Sequence, residues 1–158
     1  MTKEMKQQFT FRITRANPTD MVVILYEMTL QFLLEAKEAM EAGEKVVCKE
    51  CIRKVRGCIN ELIQSLHMEY EIAVNLYKLY MFCIRRLAYA EVRGEVQALT
   101  EIEMVISKLK DAYAEVAAQN PAAPVMSNAE TVYSGFTYGK GALAEDMSNQ
   151  STNRGMLV

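Results

Sequence analysis

The chain has no tryptophan, one histidine, three prolines and seven glycines among 158 residues. Each scarcity excludes a class of protein. The lone imidazole, His67, cannot supply the paired Glu-x-x-His motifs of a di-iron helical bundle, and the residue three before it is Gln64. A Ser-His-Asp or Cys-His pair would have to use that same His67, in a polar link where the sequence offers it no partner. No glycine-rich phosphate loop occurs. The segment Met1 to Arg15 is polar and basic and lacks the apolar core of a secretory signal. Long hydrophobic runs are also missing: Met21 to Leu34 is interrupted by Glu27 and Gln31 and is too short to span a bilayer. Charge of one sign is absent too, because the net charge is −2, which argues against a nucleic-acid binder driven by its overall field. Four cysteines without a secretory signal suggest a reducing compartment, so the expected location is the cytoplasm, without membrane insertion.

What is present describes one globular unit. A hydrophobic fraction of 51% and a charged fraction of 24% are ordinary for a soluble domain with a real core. Eleven methionines are notable, since Met fills irregular cores and also suits surfaces that accept varied partners.

Hydrophobic periodicity predicts four helices. Asn17-Pro18-Thr19-Asp20 is a strong start, with Asn17 as N-cap and Pro18 in the first helical position. The first helix should run from Pro18 to Ala42, stopping at Gly43, with Val22, Leu25, Tyr26, Thr29, Leu33, Ala36 and Met40 as its core stripe. The second, Glu44 to Leu66, has the seam Cys48, Ile52, Val55, Ile59, Leu62 and Leu66. The third, Glu71 to Glu91, should bury Ile72, Leu76, Leu79, Cys83, Leu87 and Ala90. Arg93 and Gly94 break before the fourth, Glu95 to Ala118, whose seam is Leu99, Ile102, Ile106, Leu109, Tyr113 and Val116. Such short links make successive helices antiparallel neighbours, so the expected fold is all-α: an antiparallel up-down-up-down four-helix bundle over residues 17–118. Residues 1–16 form a flexible flank with Phe9, Phe11 and Ile13 among polar residues and no regular periodicity, suggesting a lid. From residue 119 an extended tail follows, opened by Pro121 and Pro124 and still holding Tyr133, Phe136 and Tyr138 as anchors for intermittent docking.

Two helices carry more apolar surface than a four-helix core can use. On the third, Val74, Tyr77, Met81, Ala88 and Val92 make a second strip away from the core stripe, with Arg85 near it. On the first, Ile24, Met28, Leu30 and Leu34 lie outside the stripe. Such surplus is covered by the chain's own flanks, by a second copy, or by an amphipathic segment of another protein, and sequence alone leaves these open.

The cysteines read as small buried thiols rather than zinc ligands, because Cys48, Cys51 and Cys58 lie on one helix instead of on converging turns. No metal or other cofactor is expected. Lys45, Lys49, Arg53 and Arg56 line one side of the second helix, either as a solvated face exchanging weak ion pairs or as a site for an acidic partner.

The order of several short motifs from Ile13 to Val116 resembles the flagellin-specific export chaperones, the FliS family. Asn17-Pro18 followed by Leu25-Tyr26-Glu27-Met28 is similar to the family's Ser-Pro and Leu-Tyr-Asp-Gly. Glu61-Leu62 and Ser65-Leu66 close the second helix in a similar way. Asn75-Leu76-Tyr77-Lys78-Leu79-Tyr80, then Arg85-Arg86-Leu87 and Ala90, carry the strongest likeness. Leu109-Lys110-Asp111-Ala112-Tyr113 completes it. Met28, His67 and Glu91 depart from the usual Gly, Asp and Asn. The resemblance implies a non-enzymatic chaperone that binds the disordered C-terminal segment of flagellin in the cytoplasm, prevents premature polymerisation and presents the subunit to the flagellar export gate. Ile13, Ile24, Met28, Val74, Asn75, Tyr77, Met81, Arg85 and Val92 are then the partner-binding candidates, with Phe9 and Phe11 as the lid. A monomer is expected. The competing reading is a self-associating helical protein without a flagellar client.

Overall fold

A computed structural model of the chain describes residues 1–119, which form five α-helices and, among these residues, no strand. Helix α1 spans Lys3–Arg15, α2 Pro18–Glu41, α3 Lys45–Gln64, α4 Glu71–Arg93 and α5 Val96–Gln119. The aromatic anchors expected of the tail lie outside the described residues.

Local chemistry sets most helix ends. Asn17 Oδ1 accepts the Asp20 N–H at 2.8 Å, and Asp20 Oδ2 accepts the Asn17 N–H at 3.3 Å, so two otherwise unmet donors are satisfied reciprocally. Pro18 begins α2, where a missing N–H costs nothing. Gly43 (φ 72°) and Gly94 (φ 66°) take the left-handed conformation that ends α2 and α4, and the Gly94 N–H donates to the Ala90 carbonyl.

The flank of residues 1–16, expected to lack regular structure, is mostly helix α1. Thr2 caps it through Oγ1 to the Met5 N–H at 3.2 Å, while Glu4 in its first turn and Arg12 and Arg15 in its last complement the helix dipole. The aromatic pattern Phe9-x-Phe11-x-Ile13 conceals it. The inward face instead uses Met1, Met5, Phe9 and Ala16, all half-buried and mostly four residues apart, and Phe11 is left 56% exposed.

Helix α2 packs against α3 and α5, α4 packs against the same two, and α1 lies on α2. The core gathers the predicted seams, with Leu33, Val55, Ile59, Leu87, Leu99, Ile102 and Ile106 sealed from solvent. On α3 the buried stripe is wider than its seam, because Cys51 and Cys58 are buried beside Cys48. On α4 the expected Cys83, Leu87 and Ala90 are buried, and the stripe departs from expectation only in its first half. Leu79 is 39% exposed, and Tyr80 takes the core place expected of it, in the series Ala73, Tyr80, Cys83, Leu87, Ala90. The reason is a partner on α2: the Tyr80 hydroxyl meets the Tyr26 hydroxyl at 2.6 Å inside the core, which satisfies both phenols. Tyr113 of α5 sets its ring edge-on to Tyr26 at 6.2 Å.

Candidate functional site

The surplus apolar residues of α2 and α4 fare differently. Ile24 is not free surface: it is 2% exposed, at the floor of a hollow bordered by Phe11, Arg12, Arg15 and Ala16 from the α1 end and by Ala114 of α5. Its surplus is covered within the chain, which corrects the expectation of an open face there. Met28 is half-buried against the core. Arg12 forms an ion pair with Glu27, and the Met1 amine forms one with Glu35, so α1 lies antiparallel along α2. Ile13 stays on the exposed side of α1, and Phe9 is half-buried.

The strip on α4 is uncovered over much of its length. Tyr77 is 38% and Val92 82% exposed, Ala88 is exposed, and Val74 and Met81 are half-buried. Arg85 is exposed beside it, whereas Asn75, four residues before Leu79, is exposed on the opposite flank of α4. Two cross-helix contacts fix which way the strip faces. Arg86 Nε lies 2.6 Å from Glu101 Oε2 on α5, which sets one flank of α4 against α5. Arg56 Nη2 on α3 donates to Glu91 Oε2 at 2.7 Å, which sets the other flank against α3. Val92 follows Glu91, and Val74, Tyr77, Met81 and Ala88 recur with it at helical spacing, so the strip runs on the α3 side of α4. The structure does not join it to Ile24 and Met28. Helices α2 and α4 meet through the core tyrosines, while each packs its flanks on α3 and α5.

At the C-terminal end of this strip lies a hollow of about 520 Å³, lined by Ala39, Met40 and Gly43 at the end of α2, by Lys45, Cys48, Lys49 and Ile52 of α3, and by Glu91, Val92, Arg93 and Gly94. The basic side of α3 therefore divides. Arg53 is bound by Glu50 on its own helix at 2.7 and 3.0 Å, and Arg56 by Glu91. Lys45 and Lys49 face the hollow.

Burial raises the thiols of Cys48, Cys51 and Cys58, and pushes Cys83 up to about 12, so they stay protonated at neutral pH and are poor nucleophiles. Among the described residues no group of His, Cys, Asp and Glu is placed to hold a metal ion. His67 Nδ1 lies 3.1 Å from Glu69 Oε1, a local pairing within the α3–α4 link that sequence reasoning missed because the two are neighbours in a turn. Exposed Leu79 and Tyr89, on the other flank of α4, were also missed as surface; Leu79 had been expected in the core and Tyr89 carried no prediction. Arg86 stacks over Tyr89 at 4.6 Å.

An apolar strip beside a charged hollow on a helical protein is the kind of surface that marks a partner-binding site. Comparison with known proteins agrees and narrows the class. Residues 1–120 match the family model described as flagellar protein FliS. The flagellar secretion chaperone FliS of Salmonella typhimurium is 32% identical over 107 residues, covering 66% of this chain and 79% of that protein. The FliS of Bacillus subtilis is 26% identical over 101 residues, covering 64% and 76%. That of Escherichia coli is 29% identical over 109 residues, covering 65% and 78%. The chain belongs to the FliS family of flagellar secretion chaperones, and its role is that of a chaperone in flagellar export. This family is one of chaperones, not of enzymes. No described helix is long and apolar enough to cross a membrane.

Proposed function

We propose that the chain binds the disordered C-terminal segment of flagellin along the α3 side of α4, blocks premature filament polymerisation, and delivers the subunit to the export gate from the cytoplasm. The observation that carries this is the uncovered strip Val74, Tyr77, Met81, Ala88 and Val92 on a helix whose core stripe is already satisfied. An exposed apolar row at helical spacing suits an amphipathic segment that folds as it docks. A client disordered beforehand spends part of the contact energy on its own ordering, which keeps affinity moderate and release feasible. Helices α2 to α5 act as an antiparallel up-down-up-down bundle in this reading, which is supported by the short links and by the packing of α2 and α4 on the same two neighbours. The working unit is a monomer, with α1 as a displaceable cover over Ile24.

Met81→Asp is the test. The half-buried Met81 is central in the strip and separate from the core. The substitution is expected to leave far-UV helicity nearly intact and to weaken binding of a flagellin C-terminal peptide by at least about tenfold, or roughly 1.4 kcal/mol, in calorimetry. Unchanged affinity in a folded variant would move the client elsewhere.

A further inference from the structure

The hollow at the end of the α4 strip is strongly biased in charge. Lys45, Lys49 and Arg93 line it, and none of the three has an ion pair or hydrogen-bonded side-chain partner among the described residues. The single carboxylate in the lining, Glu91, is already held by Arg56 at 2.7 Å. Helix α3 begins at this point, its N-cap Glu44 making no side-chain bond to the free amides, but the C-terminal ends of α2 and α4 border the same hollow, so the helix dipoles oppose one another and the charge bias rests on the side chains. The floor is apolar: Ala39, Met40, Cys48 and Ile52. Val92, 82% exposed, belongs both to the hollow and to the strip, so one continuous surface passes from apolar row to basic pocket.

We infer that the polypeptide lying along α4 is acidic where it reaches this pocket, and that Lys45, Lys49 and Arg93 fix its direction along the groove. The inference rests on the α4 strip being the client surface. An apolar row by itself accepts an amphipathic helix in either direction, since its ridges repeat alike both ways. Three cations at one end break that equivalence. Carboxylates placed there gain Coulomb attraction and set a bare apolar side chain on the Met40 and Ile52 floor, whereas the reversed segment leaves the cations unmatched or brings lysines against them. The pocket is therefore a specificity element for direction and register, separate from the apolar contacts that supply most of the affinity.

Two fluorescein-labelled peptides test it, both with leucines at three- and four-residue spacing, one with glutamates in its terminal turn and the other with glutamines there. At low ionic strength the protein is expected to bind the glutamate peptide at least about tenfold tighter, with the ratio shrinking as salt is added. In Lys49→Gln/Arg93→Gln, two exposed positions, the affinity for the glutamate peptide should fall to near that for the glutamine peptide. Equal affinity of the two peptides for the unaltered protein, no binding of either, or a preference that survives the double substitution would overturn the inference. Binding of a flagellin C-terminal peptide to the same variants separates this from the client assignment. If that peptide binds and Met81→Asp weakens it while the glutamate preference is missing, only the directional pocket falls. If the preference is present and flagellin is not bound, the client assignment falls and the basic pocket stands.

Discussion

At the scale of single residues, the position of α4 is decided by a pair of phenols. Tyr26 and Tyr80 are both nearly sealed from solvent, and their hydroxyls satisfy one another at 2.6 Å. Removing one hydroxyl leaves the other buried without its partner, a cost of about 1–3 kcal/mol, whereas removing both is nearly neutral. Tyr26→Phe should therefore lower the urea midpoint markedly, and Tyr26→Phe/Tyr80→Phe should recover most of the loss. A double variant no better than the single would show that the pair does not act as a unit. The same contact explains why sequence periodicity chose Leu79 for the core. A hydropathy pattern ranks leucine above tyrosine, and only a facing hydroxyl from another helix makes the phenol the better buried residue. Ile24 shows the converse, since a residue off the core stripe becomes buried once α1 lies across it.

At the scale of elements, α2 to α5 were legible because capping residues and long apolar seams agree. Asn17-Pro18-Thr19-Asp20 names its own start, and Gly43 and Gly94 mark stops that other residues adopt only with strain. Helix α1 was not legible, because its inward face is only Met1, Met5, Phe9 and Ala16, and none of its residues is fully buried. It is held by half-buried contacts, by the exposed Arg12–Glu27 pair, of the kind worth at most about 1 kcal/mol, and by the more shielded pair of the Met1 amine with Glu35. Amides of α1 should thus exchange with solvent well before those of α2 to α5, which hydrogen exchange read by mass spectrometry will resolve. Deleting residues 1–12 uncovers Ile24, and the expected result is tighter or faster binding of flagellin peptide in stopped-flow fluorescence. Loss of binding would assign α1 to the client site instead of to its cover.

At the scale of the whole molecule, the core couples stability to high pH. Burial raises Tyr26 and Tyr80 above the ordinary phenol value of 10.0, Tyr113 to about 12, and Cys83 from 9.0 to about 12. Each group keeps its proton longer in the folded chain than in the unfolded one. Its contribution is complete below the unfolded value and is lost as pH rises from there through the folded value. The melting temperature should be flat from neutrality to about pH 9 and then fall steadily toward pH 12. A flat profile across that window would mean that these groups titrate alike in both states. The sequence by itself determined the helical class, the four long helices and their caps, the buried thiols and the family, because all of these follow from local spacing and residue chemistry. It also showed that α4 has more apolar surface than a core can use. Only the tertiary structure decided where that surplus goes. Whether an apolar residue ends up sealed like Ile24, shared between elements like Val92, or displaced like Leu79 depends on which helix lies opposite. The convergence of Lys45 and Lys49 with Arg93, more than forty residues apart in sequence, follows from α4 running back to end beside the start of α3, and no local pattern encodes it.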